Sequence, residues 1–433
     1  MPKRWTSRNR EKLSLSITAR RGTFSRMKIC YFTLGFMPAI KLGGPVQVMY
    51  HLTTRLARRG HEVTVVCTNL ASKNEKLFPD TRRLDLDGVK VIYFNTHKLL
   101  PLGLHSFGLT ISPGMFRFCR QELMNFDVIH TDGYRDLPSA LACHFGSKYG
   151  IPVVMQPRGT LPVAVSSFAV KRAFDLLLGR RMLHQCAFLI AVSTQEKLGF
   201  HGIVPTEKKI VRIFTGIDSE EFKDLPEKGN FRRRYGISEP CLITYLGRLH
   251  AQKGIDVLIR AAAMTRCRPQ SRLAIIGPDD GFGSRLVALT RELGLQHSVT
   301  FVPPLAGREK LEAYVDSDVV VYASQSESFG LVPFEATMCG VPSISSENSP
   351  CAEILGPLGV GFQVPYGDFR KLAATIDKIL ETRAQVIPRV QAAAVKLQEI
   401  LSWEEIARQY EDTYLMAVEL NRPTRVALQV IQD

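Results

Sequence analysis

A chain of 433 residues is longer than one ordinary hydrophobic core and suits two α/β domains. Its 45% hydrophobic and 22% charged residues are those of a folded globular protein, and no run of about 18 apolar residues is present, which excludes a membrane-spanning helix. The net charge of +15 is uneven: residues 1–28 hold nine lysines and arginines against the single acid Glu11, so the body carries only +7, which argues against nucleic acid as its partner.

The first 26 residues read as a basic, disordered tail. Leu13 to Thr18 is too short and too polar for the apolar core of a signal peptide. A membrane or nucleic-acid arm is the sharper alternative. Ordered structure is expected from Met27. Lys28–Thr33 reads as a strand, Gly43-Gly44 as a turn, and Pro45 as a helix start. Val46, Met49, Tyr50, Thr53, Leu56 and Ala57 recur at helical spacing until Gly60. Glu62–Cys67, Val89–Tyr93, Asp127–His130, Val153–Gln156 and Leu189–Val192 read as further strands. Strands alternating with helices imply a parallel sheet over residues 27–217.

Asp218–Gly229 is polar and reads as a linker. A second alternating series follows over residues 218–400. Its strands are Leu242–Leu246, Arg272–Ile276, Val299–Val302, Val319–Tyr322 and Pro342–Ser345, with helices at Asp256–Met264, Gly283–Leu293 and Arg308–Ser317. Trp403–Leu420 is a final amphipathic helix. The nine cysteines are scattered, form no Cys-x-x-Cys pair and lack zinc spacing, so a reducing cytoplasm is the simplest setting. Two such sheets place ligands at the carboxyl ends of their strands, which makes a cleft between the domains the expected site.

Three segments carry chemistry. Ser326 to Ala336 follows the strand Val319–Tyr322, and Pro333 opens a helix there. Backbone N–H groups at Gly330, Leu331 and Val332 are then free at a helix N-terminus, a geometry that binds phosphate. Glu327 lies before the turn, within reach of a group attached to that phosphate. Glu335 lies just inside the helix, where a carboxylate accepts the vicinal hydroxyls of a ribose. A solvated loop acid and a helix-dipole partner would explain either glutamate alone. Second, Gly247-Arg248 and Lys253-Gly254 also follow a strand, and bring a guanidinium and an ammonium to one volume suited to a diphosphate. Third, Gly43-Gly44-Pro45 suits an anion or a close acceptor, or is a tight turn alone. It is not Gly-x-Gly-x-x-Gly, which argues against a dinucleotide dehydrogenase.

Glu-x₇-Glu with Gly-Arg-x₄-Lys-Gly upstream resembles glycosyltransferase family 4, the retaining group 1 enzymes of bacterial polysaccharide assembly. The resemblance runs from about Met27 to Leu420 and includes Ile275-Ile276-Gly277, Cys339-Gly340-Val341-Pro342 and the closing Ser402-Trp403. It implies the GT-B fold, two facing Rossmann-like domains with an interdomain cleft, and a crossover helix over 401–422. It also implies transfer of a hexose from a nucleoside diphosphate sugar to a hydroxyl, with retention and no metal or other cofactor. Arg248 and Lys253 would hold the donor diphosphate, Glu335 the ribose, and Glu327 the transferred sugar. Gly277 and the Val302–Leu305 stretch, with Pro303, would border the base. No Asp-x-Asp motif stands at a strand end; Asp85-Leu86-Asp87 precedes a turn and a strand.

One position departs from the family pattern. Where many members carry a His near the donor sugar, this chain reads Gln156-Pro157-Arg158-Gly159-Thr160. Arg158 there would stabilise the leaving phosphate or position an anionic acceptor. His130 reads as structural. The acceptor side rests on Arg158, Gly43 and Gly44, together with a helix at Ser166–Gln185. In that helix Lys171, Arg172, Arg180 and Arg181 stand beside Phe168, Phe174, Leu177 and Leu178. A basic and apolar helix fits a lipid-linked glycan acceptor at an anionic membrane, at the inner face of the plasma membrane, or packing on its own sheet. Two rivals stay open: another GT-B enzyme, such as an epimerase or phosphorylase, and a non-catalytic nucleotide-binding subunit.

Overall fold

The computed structural model describes residues 26–432, apart from 73–74, 101–108, 162–167 and 205–208. The expected basic tail therefore lies outside the described residues up to residue 25, as do Ser166 and Ser167. The chain builds two large sheets. The first orders β1 (Lys28–Thr33), β2 (Glu62–Thr68), β3 (Arg82–Leu86), β4 (Val89–Phe94), β7 (Val128–Asp132), β8 (Val153–Gln156), β9 (Phe188–Ala191) and β10 (Lys209–Arg212) as β10-β9-β8-β7-β1-β2-β4-β3. Every pairing in it is parallel except β3 with β4. A short hairpin, β5 (His97–Leu100) with β6 (Leu109–Ile111), stands apart. The second sheet takes β11 (Cys241–Leu246), β12 (Ser271–Ile276), β13 (Val299–Val302), β14 (Val319–Tyr322), β15 (Ser343–Ser346) and β16 (Gly361–Val364) in the order β13-β12-β11-β14-β15-β16, all parallel.

Helices cover both faces of each sheet, and this explains the apolar runs. β1 is buried at every position after Lys28, as a central strand covered on both faces must be. Alternate residues feed opposite layers: Ile29 and Tyr31 pack in one, Cys30 and Phe32 in the other. The Gly44–Arg58 helix makes the first crossover, and Gly60, at φ 95°, turns the chain into β2.

Five strands escaped the sequence reading, among them the β5–β6 hairpin. β3 and β10 are half-exposed edge strands without an apolar run, and β16 is only four residues. β7 also runs two residues beyond its expected end, which places Thr131 and Asp132 inside the sheet. The expected linker is packed at its start: Ser219–Phe222 is a 3₁₀ turn and Phe222 is buried in the second domain.

The chain crosses between the domains twice, side by side. Ile217 N–H donates to the Leu401 carbonyl at 2.8 Å, and Trp403 then opens the last helix, Trp403–Gln432. That helix returns to the first sheet, where Trp403, Ile406, Tyr410 and Tyr414 join the same core as β1 and β2. A Cβ on Gly216 would stand 2.5 Å from the Trp403 ring, so only glycine lets the crossings lie this close. The last helix is fixed further along by Glu411, 1% exposed, which is bonded by Arg59 and by His61 at 2.7 Å.

Candidate active site

The carboxyl ends of β11, β12 and β14 gather most of the residues singled out in the sequence. Gly247 and Gly277 follow β11 and β12 at φ 150° and 147°. Gly247 N–H donates to the Ile276 carbonyl at 2.9 Å, and Gly277 N–H to the Val302 carbonyl at 3.1 Å, next to Pro303. A Cβ on Gly277 would lie 1.9 Å from the Gly247 carbonyl oxygen, so the close approach of the two backbones requires glycine. Arg248 leaves this turn exposed and pairs with Asp280 at 2.6 Å. Its carbonyl accepts from the Tyr245 hydroxyl at 2.9 Å, and Tyr245 stacks on Tyr322 with ring centroids 6.2 Å apart.

Lys253 ends a 3₁₀ turn closed by Gly254 in the left-handed region. The Ser324–Ser326 segment is tied to that turn: Gln325 N–H and the Ser324 hydroxyl both donate to the Gln252 carbonyl, at 2.8 and 3.1 Å. This brings Lys253 Nζ into an ion pair with Glu327, both side chains being nearly nine-tenths buried. Gly330 turns at φ 78°, and the helix Val332–Met338 begins without a side-chain cap, with Leu331 at its N-cap position. Glu335 is not free. Its carboxylate accepts from Lys310 Nζ at 2.9 Å and from the Tyr314 hydroxyl at 2.7 Å. Burial opposes the charge on Lys310, but the Glu335 carboxylate more than offsets this and holds the ammonium above its ordinary range.

The first sheet contributes the opposite wall. Asp132 ends β7, and Arg158 follows β8 in the left-handed region at φ 46°, with Gly159 at φ 76°. A non-glycine residue held there is strained, a pattern that concentrates at functional sites. Arg158 Nε donates to Asp132 Oδ1, and both side chains are buried. Arg158 is thus paired with a buried carboxylate, while its Nη2 has no partner among the described residues. Burial raises Asp132 above the ordinary aspartate range despite that partner. Beneath the pair, Tyr410 donates to Gln156 at 2.7 Å, while Tyr414 bonds His130 Nδ1 at 2.9 Å. His130 also stacks on Tyr31 at 4.3 Å, and is a core residue as its sequence suggested. Glu196 accepts from the N–H groups of Gly159 and Val192, which fixes the left-handed turn.

That turn touches the other domain. A Cβ on Gly159 would lie 3.2 Å from Ser328 Cβ, one residue beyond Glu327. Gly43, at φ 105°, and Gly44 open the Gly44–Arg58 helix between two recesses. One, of about 60 Å³, brings Gly44, His51, Lys310, Leu331 and Glu335 together across the cleft. The other, of about 260 Å³, lies in the first domain over Asp132, Asp136 and Arg158, with Pro45 and Val46 on its rim. The sequence therefore indicated the donor-side residues as one group, but separated Gly44 from Arg158 less clearly than the structure does. It missed Lys310, Tyr314, Asp132, Asp136 and Glu196. Only Asp136 had a local signal, as the cap before Leu137-Pro138, where its carboxylate accepts Ser139 N–H at 2.7 Å.

The helix expected at Ser166–Gln185 runs without interruption over 168–185, with a π-helical stretch Asp175–Gly179 between Phe168–Phe174 and Arg180–Gln185. Lys171 and Phe174 are buried, which removes them from the expected surface, whereas Arg172, Arg180 and Arg181 are exposed. Leu176, Leu177 and Leu178 are 60%, 77% and 39% exposed.

Comparison with known proteins agrees with this architecture. Residues 227–395 match the model "Glycosyl transferases group 1", and residues 43–215 match "Glycosyl transferase 4-like domain". An uncharacterized glycosyltransferase of Methanocaldococcus jannaschii is 28% identical over 91% of this chain and 99% of its own length. A D-inositol 3-phosphate glycosyltransferase of Acidothermus cellulolyticus is 26% identical over 86% of each chain. Among solved structures, Anabaena Alr3699/HepE in complex with UDP and glucose superposes with a TM-score of 0.68 at 18% identity, over 90% of this chain and 99% of that one. The chain belongs to the group 1 glycosyltransferases and has the GT-B fold.

Proposed function

We propose that this glycosyltransferase moves a hexose from a nucleoside diphosphate sugar to a hydroxyl acceptor, with retention of configuration and without a metal. The observation that carries the reading is the convergence of Lys253, Glu327 and the uncapped Val332–Met338 helix end at one point. The Arg158–Gly159 turn of the other domain closes on that point. Arg248, Lys253 and the N–H groups of Gly330, Leu331 and Val332 hold the diphosphate and stabilise the charge that grows on it as the glycosidic bond breaks. Glu335, steered by Lys310 and Tyr314, accepts the ribose hydroxyls. Gly277 and Pro303 border the base. Glu327 orients the transferred sugar, and Gly43-Gly44 faces the phosphates from the first domain. UDP is the first nucleotide to try, because the Anabaena structure holds it.

On the segment that follows Phe174, the leucines Leu176–Leu178 are exposed to solvent together with the bases Arg172, Arg180 and Arg181. That combination supports a lipid-linked glycan acceptor used at an anionic membrane surface, as in cell-surface polysaccharide synthesis. Co-sedimentation with liposomes containing anionic lipid checks this part, and absence of binding removes it.

The donor reading is tested by thermal shift with UDP, GDP and ADP. A nucleotide at 100 times its Kd stabilises the folded state by about 2.7 kcal/mol. One of the three should raise the melting temperature of the wild type and leave Lys253→Ala unmoved. A set of three null shifts would sink the proposal.

A further inference from the structure

Away from the two chain crossings, one carboxylate of the second domain holds the first domain directly. Glu353 stands on the short helix Ala352–Leu355, which follows β15. It reaches the first domain at the start of the Thr194–Gly199 helix. Glu353 Oε2 accepts from Thr194 N–H at 2.8 Å, and Oε1 accepts from the Thr194 hydroxyl at 2.6 Å. Arg212, the last residue of β10, donates to that same Oε1, and to the Thr194 hydroxyl at 3.1 Å. Both carboxylate oxygens are therefore engaged by the other domain, and one of the bonds joins opposite charges. An exposed ion pair alone holds little. This one is fixed at both ends: the Arg212 guanidinium lies over the Phe214 ring at 4.6 Å, and Phe214 lies 6.0 Å from Phe329 of the second domain. Val192, two residues before Thr194, is buried in the second domain's core.

Two residues beyond Thr194, the contact is carried into the cleft. Ser193 caps the helix by accepting Glu196 N–H at 3.0 Å, and the Glu196 carboxylate accepts from Val192 N–H at 2.7 Å and from Gly159 N–H. Ser193 and Glu196 are 1% and 8% exposed, so neighbours hold this turn in place. Gly159 in turn stands against Ser328, next to Glu327. A path thus leaves the second domain at Glu353, passes through Thr194, Glu196 and Gly159, and returns to the second domain at Ser328. Its two ends are carried by β14 and β15, which are paired neighbours in one sheet. A hinge alone leaves one domain free to swing against the other. The Glu353 contact adds an attachment away from the crossing of Ile217 and Leu401. Glu353 lines neither recess of the cleft, so any effect on the site passes through the first domain.

We propose that Glu353 is a positioning residue. It clamps the first domain at Thr194 and Arg212, and so holds the Arg158–Gly159 turn over Glu327. Without the clamp the domains swing apart about the crossing, and the turn lifts away from the transferred sugar. The clamp stands on its own contacts; its consequence for transfer rests on the glycosyltransferase reading.

Small-angle X-ray scattering of the ligand-free protein tests the clamp by itself. Glu353→Ala and Arg212→Ala remove one partner from each domain, and each should raise the radius of gyration above that of the wild type. The double variant should open no further than Glu353→Ala, because both groups act on one contact. Scattering curves that superpose on the wild type would overturn the clamp. A disulfide reporter reads the turn itself. A Cβ on Gly159 lies 3.2 Å from Ser328 Cβ, close to the roughly 3.5–4.5 Å spanned by a disulfide, so Gly159→Cys with Ser328→Cys should crosslink in glutathione disulfide. Adding Glu353→Ala should slow the crosslinking at least about tenfold, and an unchanged rate counts against the proposal. Calorimetry with UDP separates this from the donor reading. Glu353→Ala should bind UDP within about threefold of the wild type. Lost UDP affinity with unchanged scattering would make Glu353 a binding residue and refute the clamp. A wild type that does not bind UDP counts against the donor reading alone, and the scattering result still decides the clamp.

Discussion

Asp136 offers a quantitative check on how dry the first-domain recess is. Burial pushes its carboxyl up to about 6 from an ordinary value of 3.8, against the pull of Ser139, whose N–H it accepts. The folded protein therefore holds this proton more tightly than the unfolded chain. Below about pH 4 both states are protonated and the group is neutral to stability. Between about pH 4 and 6 the unfolded chain loses its proton first, so stability falls as pH rises, and above about 6 the full penalty is present. Two units at ~1.36 kcal/mol each make an upper bound of about 3 kcal/mol. Asp136 is partly accessible from the recess, so water there reduces the figure to about 1–2 kcal/mol. Asp136→Asn keeps the helix cap, because Asn caps as well as Asp, and gives up at most about 1 kcal/mol of charge–dipole energy. The net gain is then at most about 2 kcal/mol, so the variant should melt higher than wild type by up to about 8 °C at pH 8, using about 2–4 °C per kcal/mol for a domain of this size. At pH 4 the advantage should vanish or reverse. Melting curves of both proteins at pH 4, 5, 6 and 8 decide it. A difference that does not change with pH would show that the carboxylate is already well solvated, and the picture of a dry recess would fail with it.

Three further outcomes follow from the geometry. Lys253→Ala or Glu327→Ala should lower transfer by roughly 10²-fold or more, the scale of losing one preorganised stabilising group, and turnover within a few-fold of wild type would remove both from the chemistry. Gly277→Ala forces a Cβ to 1.9 Å from the Gly247 carbonyl at φ 147°, and should cost more than about 3 kcal/mol in unfolding experiments; a loss under about 1 kcal/mol would contradict the close approach of the two turns. For Glu411, burial opposes ionisation, but His61 and Arg59 more than compensate and hold its carboxyl below the ordinary range. Its stabilisation is present above about pH 4.5 and lost as pH falls through the lowered folded value, so Glu411→Gln should destabilise by about 1–3 kcal/mol at pH 7 and by progressively less as the pH is lowered below about 4.5, as read from denaturant midpoints.

The donor half of the site was legible in the sequence for a local reason. Gly247, Arg248 and Lys253 span seven residues after β11, and Glu327 to Glu335 span nine after β14. Each group is carried by one turn, so a short window holds the whole device and its spacing is informative. The fold was legible where strands are central and covered on both faces, as with β1, β8, β11 and β14. It was not legible at β3 and β10, where an exposed edge removes the apolar run that marks a strand. Lys310 and Tyr314 were invisible for a different reason: they lie one turn apart on the Gly307–Asp316 helix, and nothing in that helix says that Glu335 will stand opposite.

The acceptor side resisted the sequence because its meaning lies in pairings between distant residues. Arg158 read alone is a cation, and a cation beside a glycosyl donor suggests a phosphate. The partner that offsets its charge, Asp132, lies 26 residues earlier on a neighbouring strand, and the sequence reading ended that strand two residues too soon. Arg135 is likewise a surface base on paper, and becomes a neutralised wall only through Asp175, 40 residues on. Charge counted along the chain is positive here, whereas charge counted around the recess is balanced or slightly negative. Electrostatic selectivity is decided by the second count, because ion pairs buried together present little net field to a ligand while a lone carboxylate such as Asp136 presents most of its own. A basic motif next to a catalytic loop therefore does not by itself predict an anionic substrate; the decisive quantity is the number of cations left over after the neighbouring carboxylates have been served.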